Sequence, residues 1–196
     1  MIFIKQRTGF FLLLLTLVIA GCGGGTEDDL FPSDKDKRSE VTVGEVGGSP
    51  GNLAPDFSVT TTDNEVFILA DHLRGMAEES EATVIYFTMW CPVCAVHMDL
   101  IQFEVMARFS EQSINYLAVD YLSGSLDNTR SAQQESGFAN SGFLVAADPG
   151  QVMTGIFNGT MGTTVVIDKD GVVRMNEDFR TGENLIAILD ELTVVP

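Results

Sequence analysis

Tyr86-Phe87-Thr88-Met89-Trp90-Cys91-Pro92-Val93-Cys94-Ala95-Val96-His97 is the stretch from which the fold can be read. The run Thr83 to Met89 is β-branched, aromatic or apolar at most positions and predicts a buried strand. It stops at Trp90. From there Val93, Val96, Leu100, Ile101, Val105 and Phe109 recur at helical spacing, which predicts a helix from near Pro92 to about Ser110. Two cysteines therefore stand where a strand ends and a helix begins.

That junction favours thiol chemistry. A helix N-terminus presents unpaired N–H groups and the positive end of the macrodipole, which stabilise a thiolate. Pro92 suits the first turn, where its missing N–H costs nothing. Cys91 is the expected acidified nucleophile, and Cys94, one turn further in, is placed to close a disulfide onto it. A structural disulfide, half of a zinc site and two buried free thiols are the competing readings. A four-ligand zinc site would want further Cys or His nearby, and only His97 and the distant His72 are on offer.

The motif resembles the thioredoxin superfamily. Ala54-Pro55-Asp56-Phe57 and Leu69-Ala70-Asp71-His72-Leu73-Arg74-Gly75 resemble the entry to its TlpA-like and AhpC/TSA (redoxin) branch. Thr163-Thr164-Val165-Val166-Ile167-Asp168-Lys169-Asp170-Gly171 is similar to that branch's strand-turn-strand. The resemblance implies an α/β, thioredoxin-like fold and a redox-active Cys91–Cys94 disulfide with no other cofactor.

Met1 to Gly21 reads as a targeting segment. Lys5 and Arg7 form a basic start, Phe10 to Ala20 an apolar core, and Ile19-Ala20-Gly21-Cys22 looks like a bacterial lipobox. Cleavage would leave Cys22 lipid-bearing, anchoring the chain extracytoplasmically in a bacterial envelope. With Gly23 following, the periplasmic face of the outer membrane is expected in a two-membraned cell. An ordinary signal peptide or an uncleaved anchor is the alternative. Residues 22–50 are rich in Gly, Ser, Asp, Glu and Lys and read as a flexible acidic tether. Residues 51–196 then suffice for one thioredoxin-like domain.

The whole chain carries 11 Lys plus Arg against 28 Asp plus Glu, net −17. Loss of Lys5 and Arg7 makes the mature chain near −19. Such a surface argues against nucleic acid and against direct docking on anionic lipid. The partners expected are a protein or small-molecule thiol/disulfide client and a membrane thiol donor or acceptor of electrons.

Within the domain, Phe57 to Thr61 and Glu65 to Ile68 predict an opening hairpin turned at Asp63-Asn64, an N-terminal extension. Leu69 to Leu73 predicts a short helical turn. Ile114 to Val119 is the next strand, with Asp120 at its end. Asp127 is the expected cap of a helix ending at Gly137. Phe143 to Ala146 predicts a strand and Gln151 to Phe157 a short helix. Thr163 to Ile167 and Val172 to Met175 pair around Asp170-Gly171. Leu185 to Leu192 closes the chain as an amphipathic helix. This order predicts a central mixed sheet flanked by helices.

Other residues carry chemistry of their own. His97, three after Cys94, shares its helix face. In the resembling oxidoreductases an acid often stands there and is thought to move a proton; histidine could do the same. It could also ligate metal with both thiolates, or be a partly exposed helix residue without function. Gly162 replaces the family's cis-proline before Thr163, which implies a trans peptide, an altered client groove, a more mobile loop, and Met161 near Cys91. Asp99 replaces a kinking proline, so a straighter helix is expected, and Ala95 replaces a frequent basic residue. Trp90 is expected beside the dithiol, His72 at the surface and Glu104 solvated.

Two alternatives to disulfide exchange stand beside it. Thr88 lies three before Cys91 as in the peroxiredoxin Thr-x-x-Cys, but Val84 replaces that motif's proline and no arginine precedes Thr163. A copper-binding chaperone would use Cys91, Cys94 and His97 with Met89, Met98 or Met161.

Overall fold

The computed structural model describes residues 45–193. The targeting segment, Cys22 and most of the tether lie outside the described residues. Five strands form the central sheet: β3 (Ala82–Thr88), β4 (Ile114–Asp120), β5 (Leu144–Ala147), β6 (Thr163–Asp168) and β7 (Val173–Asp178). Before them β1 (Ser58–Thr60) and β2 (Val66–Ile68) make a separate antiparallel hairpin. The helices are α1 (Pro92–Leu100), α2 (Leu126–Glu135), α3 (Val152–Phe157) and α4 (Glu183–Thr193).

The sheet order is β5-β4-β3-β6-β7. β3 runs parallel to β4 and antiparallel to β6, so the sheet is mixed, as the alternation of elements predicts. All seven residues of β3 are buried, which is why its sequence is a continuous apolar run rather than an alternating one. The pleat still sorts them. Val84 and Tyr86 enter the core with Cys94 and Met98 of α1, Ile101 just beyond it, and Leu185 and Leu189 of α4. Ile85 and Phe87 enter a second core with Phe57 and Phe67 of the hairpin region and Met153 and Phe157 of α3. Tyr86 is thereby committed to the layer that holds the dithiol.

The helix after the cysteines departs from expectation. α1 gives way at Ile101–Met106 to π-helical winding, and ordinary helix resumes only at 107–108, short of Ser110. The absence of proline at Asp99 therefore does not leave a uniform α-helix. The buried stripe is Cys94, His97, Met98, Ile101 and Val105. Val96, counted as core by spacing, lies opposite that stripe and is 58 % exposed. The stripe was obscured because a histidine and a cysteine occupy two of its positions.

Two smaller expectations are also corrected. α2 is capped by Ser125, whose Oγ accepts from the Asn128 N–H at 3.2 Å, and Asp127 instead pairs with Arg130 at 2.8 Å. His72 is half-buried rather than a surface residue, its ring stacked 4.4 Å from that of Phe67 and its Nδ1 3.0 Å from the Glu78 carbonyl. Glu104 is exposed. Among the described residues no helix is long and apolar enough to cross a membrane.

Candidate active site

Cys91 is the N-cap of α1, with extended backbone (φ −82°, ψ 164°), and Pro92 opens the first turn. The Cys94 N–H donates to Cys91 Sγ at 3.2 Å, so the thiol occupies the place a serine or aspartate cap usually takes. The two sulfurs are 2.8 Å apart. Cys91 is half-buried, whereas Cys94 is wholly enclosed. One sulfur can be reached and the other can reach only its neighbour.

Acidification of Cys91 is not the net result. Burial pushes its pKa up first, and the Cys94 side chain adds to this, against the lowering effect of the Cys94 and Val93 backbone N–H groups. The helix end moderates the cost of a thiolate here without overcoming enclosure.

Trp90 is held by its surroundings. Its backbone is left-handed (φ 59°), an uncommon state for a bulky residue. Two bonds secure it: the backbone N–H donates to Thr88 Oγ1 at 3.1 Å, and the indole Nε1–H donates to Asp120 Oδ2 at 2.8 Å. Asp120, 1 % exposed, also accepts from Thr129 Oγ1 and from the Leu122 and Ser123 N–H groups. Burial works to raise its pKa, but the bonds from Ser123, Trp90 and Leu122 hold it below the ordinary carboxylate value. Sequence reading put Asp120 at the strand end but missed its role as the anchor of Trp90. Thr88 is itself enclosed and engaged with Trp90.

Opposite the dithiol, Met161 Sδ stands 3.3 Å from Cys91 Sγ. Gly162 follows with φ +84°, and the described residues contain no cis peptide. The glycine is pinned rather than loose. Its N–H donates to the Phe87 carbonyl at 3.0 Å, and its carbonyl accepts from the Phe179 N–H at 2.7 Å and Thr164 Oγ1 at 3.1 Å.

His97 is 5 % exposed, not partly exposed, because Phe179 covers it with ring centroids 4.7 Å apart. Its Nδ1 lies 3.0 Å from the Tyr86 hydroxyl. Burial lowers its pKa to about 4, so the ring is neutral at ordinary pH. The copper set of Cys91, Cys94 and His97 does not gather: among the described residues no cluster of three His, Cys, Asp or Glu side chains could hold an ion. The imidazole is instead turned to Tyr86. Of the candidate thioethers, Met98 is buried in the core and Met89 is 37 % exposed, leaving Met161 beside the dithiol.

The AhpC/TSA family model matches residues 50–176. No curated protein matches the chain. Among solved structures, a Chlorobium tepidum protein provisionally described as a thiol:disulfide interchange protein DsbE is 22 % identical, with TM-score 0.59 over 74 % of this chain and 98 % of that one. MTB dsbF is 19 % identical, with TM-score 0.56 over 70 % and 95 %. A secreted Mycobacterium tuberculosis disulfide oxidoreductase homologous to E. coli DsbE is 17 % identical, with TM-score 0.52 over 69 % and 95 %. These likenesses establish a thioredoxin-like fold.

Proposed function

Because the chain belongs to the AhpC/TSA family, we propose that it is an extracytoplasmic thiol–disulfide oxidoreductase, anchored by lipid on Cys22. One observation carries the reaction: two free sulfurs 2.8 Å apart at a helix N-terminus, the first accessible and the second enclosed. Cys91 thiolate attacks a client disulfide, forming a mixed disulfide and releasing one client thiolate. Cys94 then attacks Cys91 Sγ and expels the second. The client is a protein or small-molecule disulfide, and a membrane thiol partner restores the dithiol. Run backwards, the same steps oxidise a client dithiol. The basic start, short apolar core and Ile19-Ala20-Gly21-Cys22 support export and anchoring. The secreted neighbour fits the same location.

The test is a trapping experiment. Cys94→Ala is expected to accumulate a covalent mixed disulfide through Cys91, and Cys91→Ala to accumulate none. The reverse pattern would overturn the assignment of the two sulfurs. If neither variant traps a client while reduced wild type takes up copper tightly, the oxidoreductase reading gives way. The reduction potential of the pair then sets direction, a low value marking a reductase and a high one an oxidant.

A further inference from the structure

The thioether beside the dithiol has no part in disulfide exchange as described. Met161 and Gly162 are the middle residues of a turn closed by the Thr163 N–H, which donates to the Thr160 carbonyl at 3.0 Å. Gly162 stands third in that turn with φ +84°, as a type II turn requires. The turn is held from both sides. Thr160 N–H donates to Thr163 Oγ1 at 3.0 Å, and Gly162 is bonded to the Phe87 and Phe179 backbone. It thus presents the Met161 side chain to Cys91, whose Sγ–H donates to Met161 Sδ at 3.3 Å. Met161 and Cys91 are both half-buried, so a small solute can reach the pair, whereas Met98 in the same core has no exposed surface. A thioether takes up one oxygen atom from a two-electron oxidant and becomes a sulfoxide. When Cys91 and Cys94 are joined as a disulfide, neither offers a thiol, and Met161 Sδ is the sulfur at the site open to that reaction.

We propose that the site has a second activity, reduction of its own Met161 sulfoxide by the Cys91–Cys94 dithiol, with a hydroperoxide as the oxidant that forms it. The inference needs the two cysteines to cycle between dithiol and disulfide, as the oxidoreductase reading does, but it needs no client. The hydroperoxide gives one oxygen atom to Sδ and leaves as alcohol or water. Once the disulfide has been reduced, Cys91 Sγ attacks the sulfoxide. The Sδ–O bond breaks, and the oxygen passes with the thiol proton to Cys91 as a sulfenic acid. Sδ gains the electron pair that Cys91 loses. Cys94 Sγ then bonds to Cys91 Sγ, the S–O bond there breaks, and hydroxide leaves with the Cys94 proton as water. One sulfoxide and two thiols become one thioether, one disulfide and one water.

Three features of the site suit this cycle. The turn sets thioether and thiol against each other before reaction, which makes the step intramolecular. Burial holds the Cys91 pKa above its ordinary value, so the attacking group also brings the proton that the oxygen needs. Cys94, 2.8 Å from Cys91, captures the sulfenic acid before a second oxidant can carry it to the sulfinic state.

Met76 provides an internal control. It is 47 % exposed and precedes β3, whereas the cysteines follow that strand, about 23 Å along it. The full-length protein, with Cys91 and Cys94 closed as a disulfide, is treated with hydrogen peroxide until Met76 and Met161 are both oxidised, and the peroxide is removed. A brief pulse of phosphine opens the disulfide, and peptides sampled over time are weighed by mass spectrometry. Met161 sulfoxide should disappear at least about a hundredfold faster than Met76 sulfoxide, the advantage of a positioned reductant over a diffusing one. The rate should be independent of protein concentration, with one disulfide regained per sulfoxide lost. Peroxide makes two epimers at sulfur, so loss of half the Met161 sulfoxide at that rate also supports repair. Cys91→Ala should keep its sulfoxide, and Cys94→Ala should lose it while accumulating a sulfenic acid that a cyclic dione labels. Equal persistence at Met161 and Met76 in wild type would overturn the inference. So would a Met161 that peroxide leaves untouched while Met76 is fully oxidised, or a Cys91→Ala variant that repairs as fast as wild type. A wild type that repairs Met161 but exchanges with no client disulfide refutes the oxidoreductase reading alone. Ordinary exchange with a lasting Met161 sulfoxide refutes repair alone.

Discussion

Gly162→Pro puts the loop opposite the dithiol to a quantitative test. By the family pattern a proline here would restore the usual geometry. The structure argues otherwise, because Gly162 has φ +84° while proline is confined near −65°. The substitution also removes the N–H that donates to the Phe87 carbonyl at 3.0 Å, inside a buried strand. Leaving a buried acceptor without its donor costs about 1–3 kcal/mol, and forcing the backbone adds about 1–3 kcal/mol. The sum centres near 4 kcal/mol, which for a domain of this size lowers Tm by about 8–16 °C. Gly162→Ala is the control. It keeps the N–H, and its Cβ would meet the His97 ring at an ordinary 3.6 Å. Only left-handed strain of about 1–2 kcal/mol remains. Thermal melts of the three proteins should therefore rank wild type, then alanine, then proline. A proline variant melting within about 2 °C of wild type, with faster disulfide exchange, would refute this account of the loop.

Three further outcomes are expected. His97 titrates at about 4 when folded against an ordinary 6.5, so as pH falls through that window the unfolded chain binds its proton first. The unfolding free energy from urea melts should drop between those values, by about 3 kcal/mol at most, and His97→Gln should flatten that limb. Asp120→Asn should cost about 1.5–3 kcal/mol through its weakened bonds and shift the emission of Trp90, the one tryptophan. Because its folded pKa is depressed, the Asp120 contribution is present above the ordinary carboxylate pKa and fades as pH falls through the lower folded value; an acid titration of Trp90 emission without that change would count against the anchor. Cys22→Ala should abolish lipid labelling and leave an unprocessed precursor, and undiminished labelling would sink the lipobox reading.

The parts of the site legible in sequence are those written by local rules. A strand of seven buried residues must be an apolar run, and a cap followed by proline must open a helix, so the Cys91 junction follows from adjacent residues. The β6–β7 turn at Asp170-Gly171 is equally local, with Gly171 at φ +78°. What sequence reading missed depends on register and distance. Tyr86 and His97 are eleven residues apart, and their contact requires the β3 pleat and the α1 stripe to coincide. The lid on His97 is Phe179, just past β7, far along the chain. Trp90 meets Asp120 across thirty residues because β3 and β4 are parallel and end together, Thr88 opposite Asp120.

The two cores separated by the pleat of β3 also divide what mutation can change. Tyr86, Cys94 and the His97 lid belong to one side of the sheet, while Phe57, Phe67, Met153 and Phe157 pack the core on the other. Substitutions in that far layer alter the folding equilibrium through volume and packing alone. It is the natural place to engineer a hardier version of this domain, since gains made there leave the electrostatics around the thiols as they are. The near layer has less freedom, because Tyr86 and Phe179 there enclose His97 and lie in the same core as Cys94.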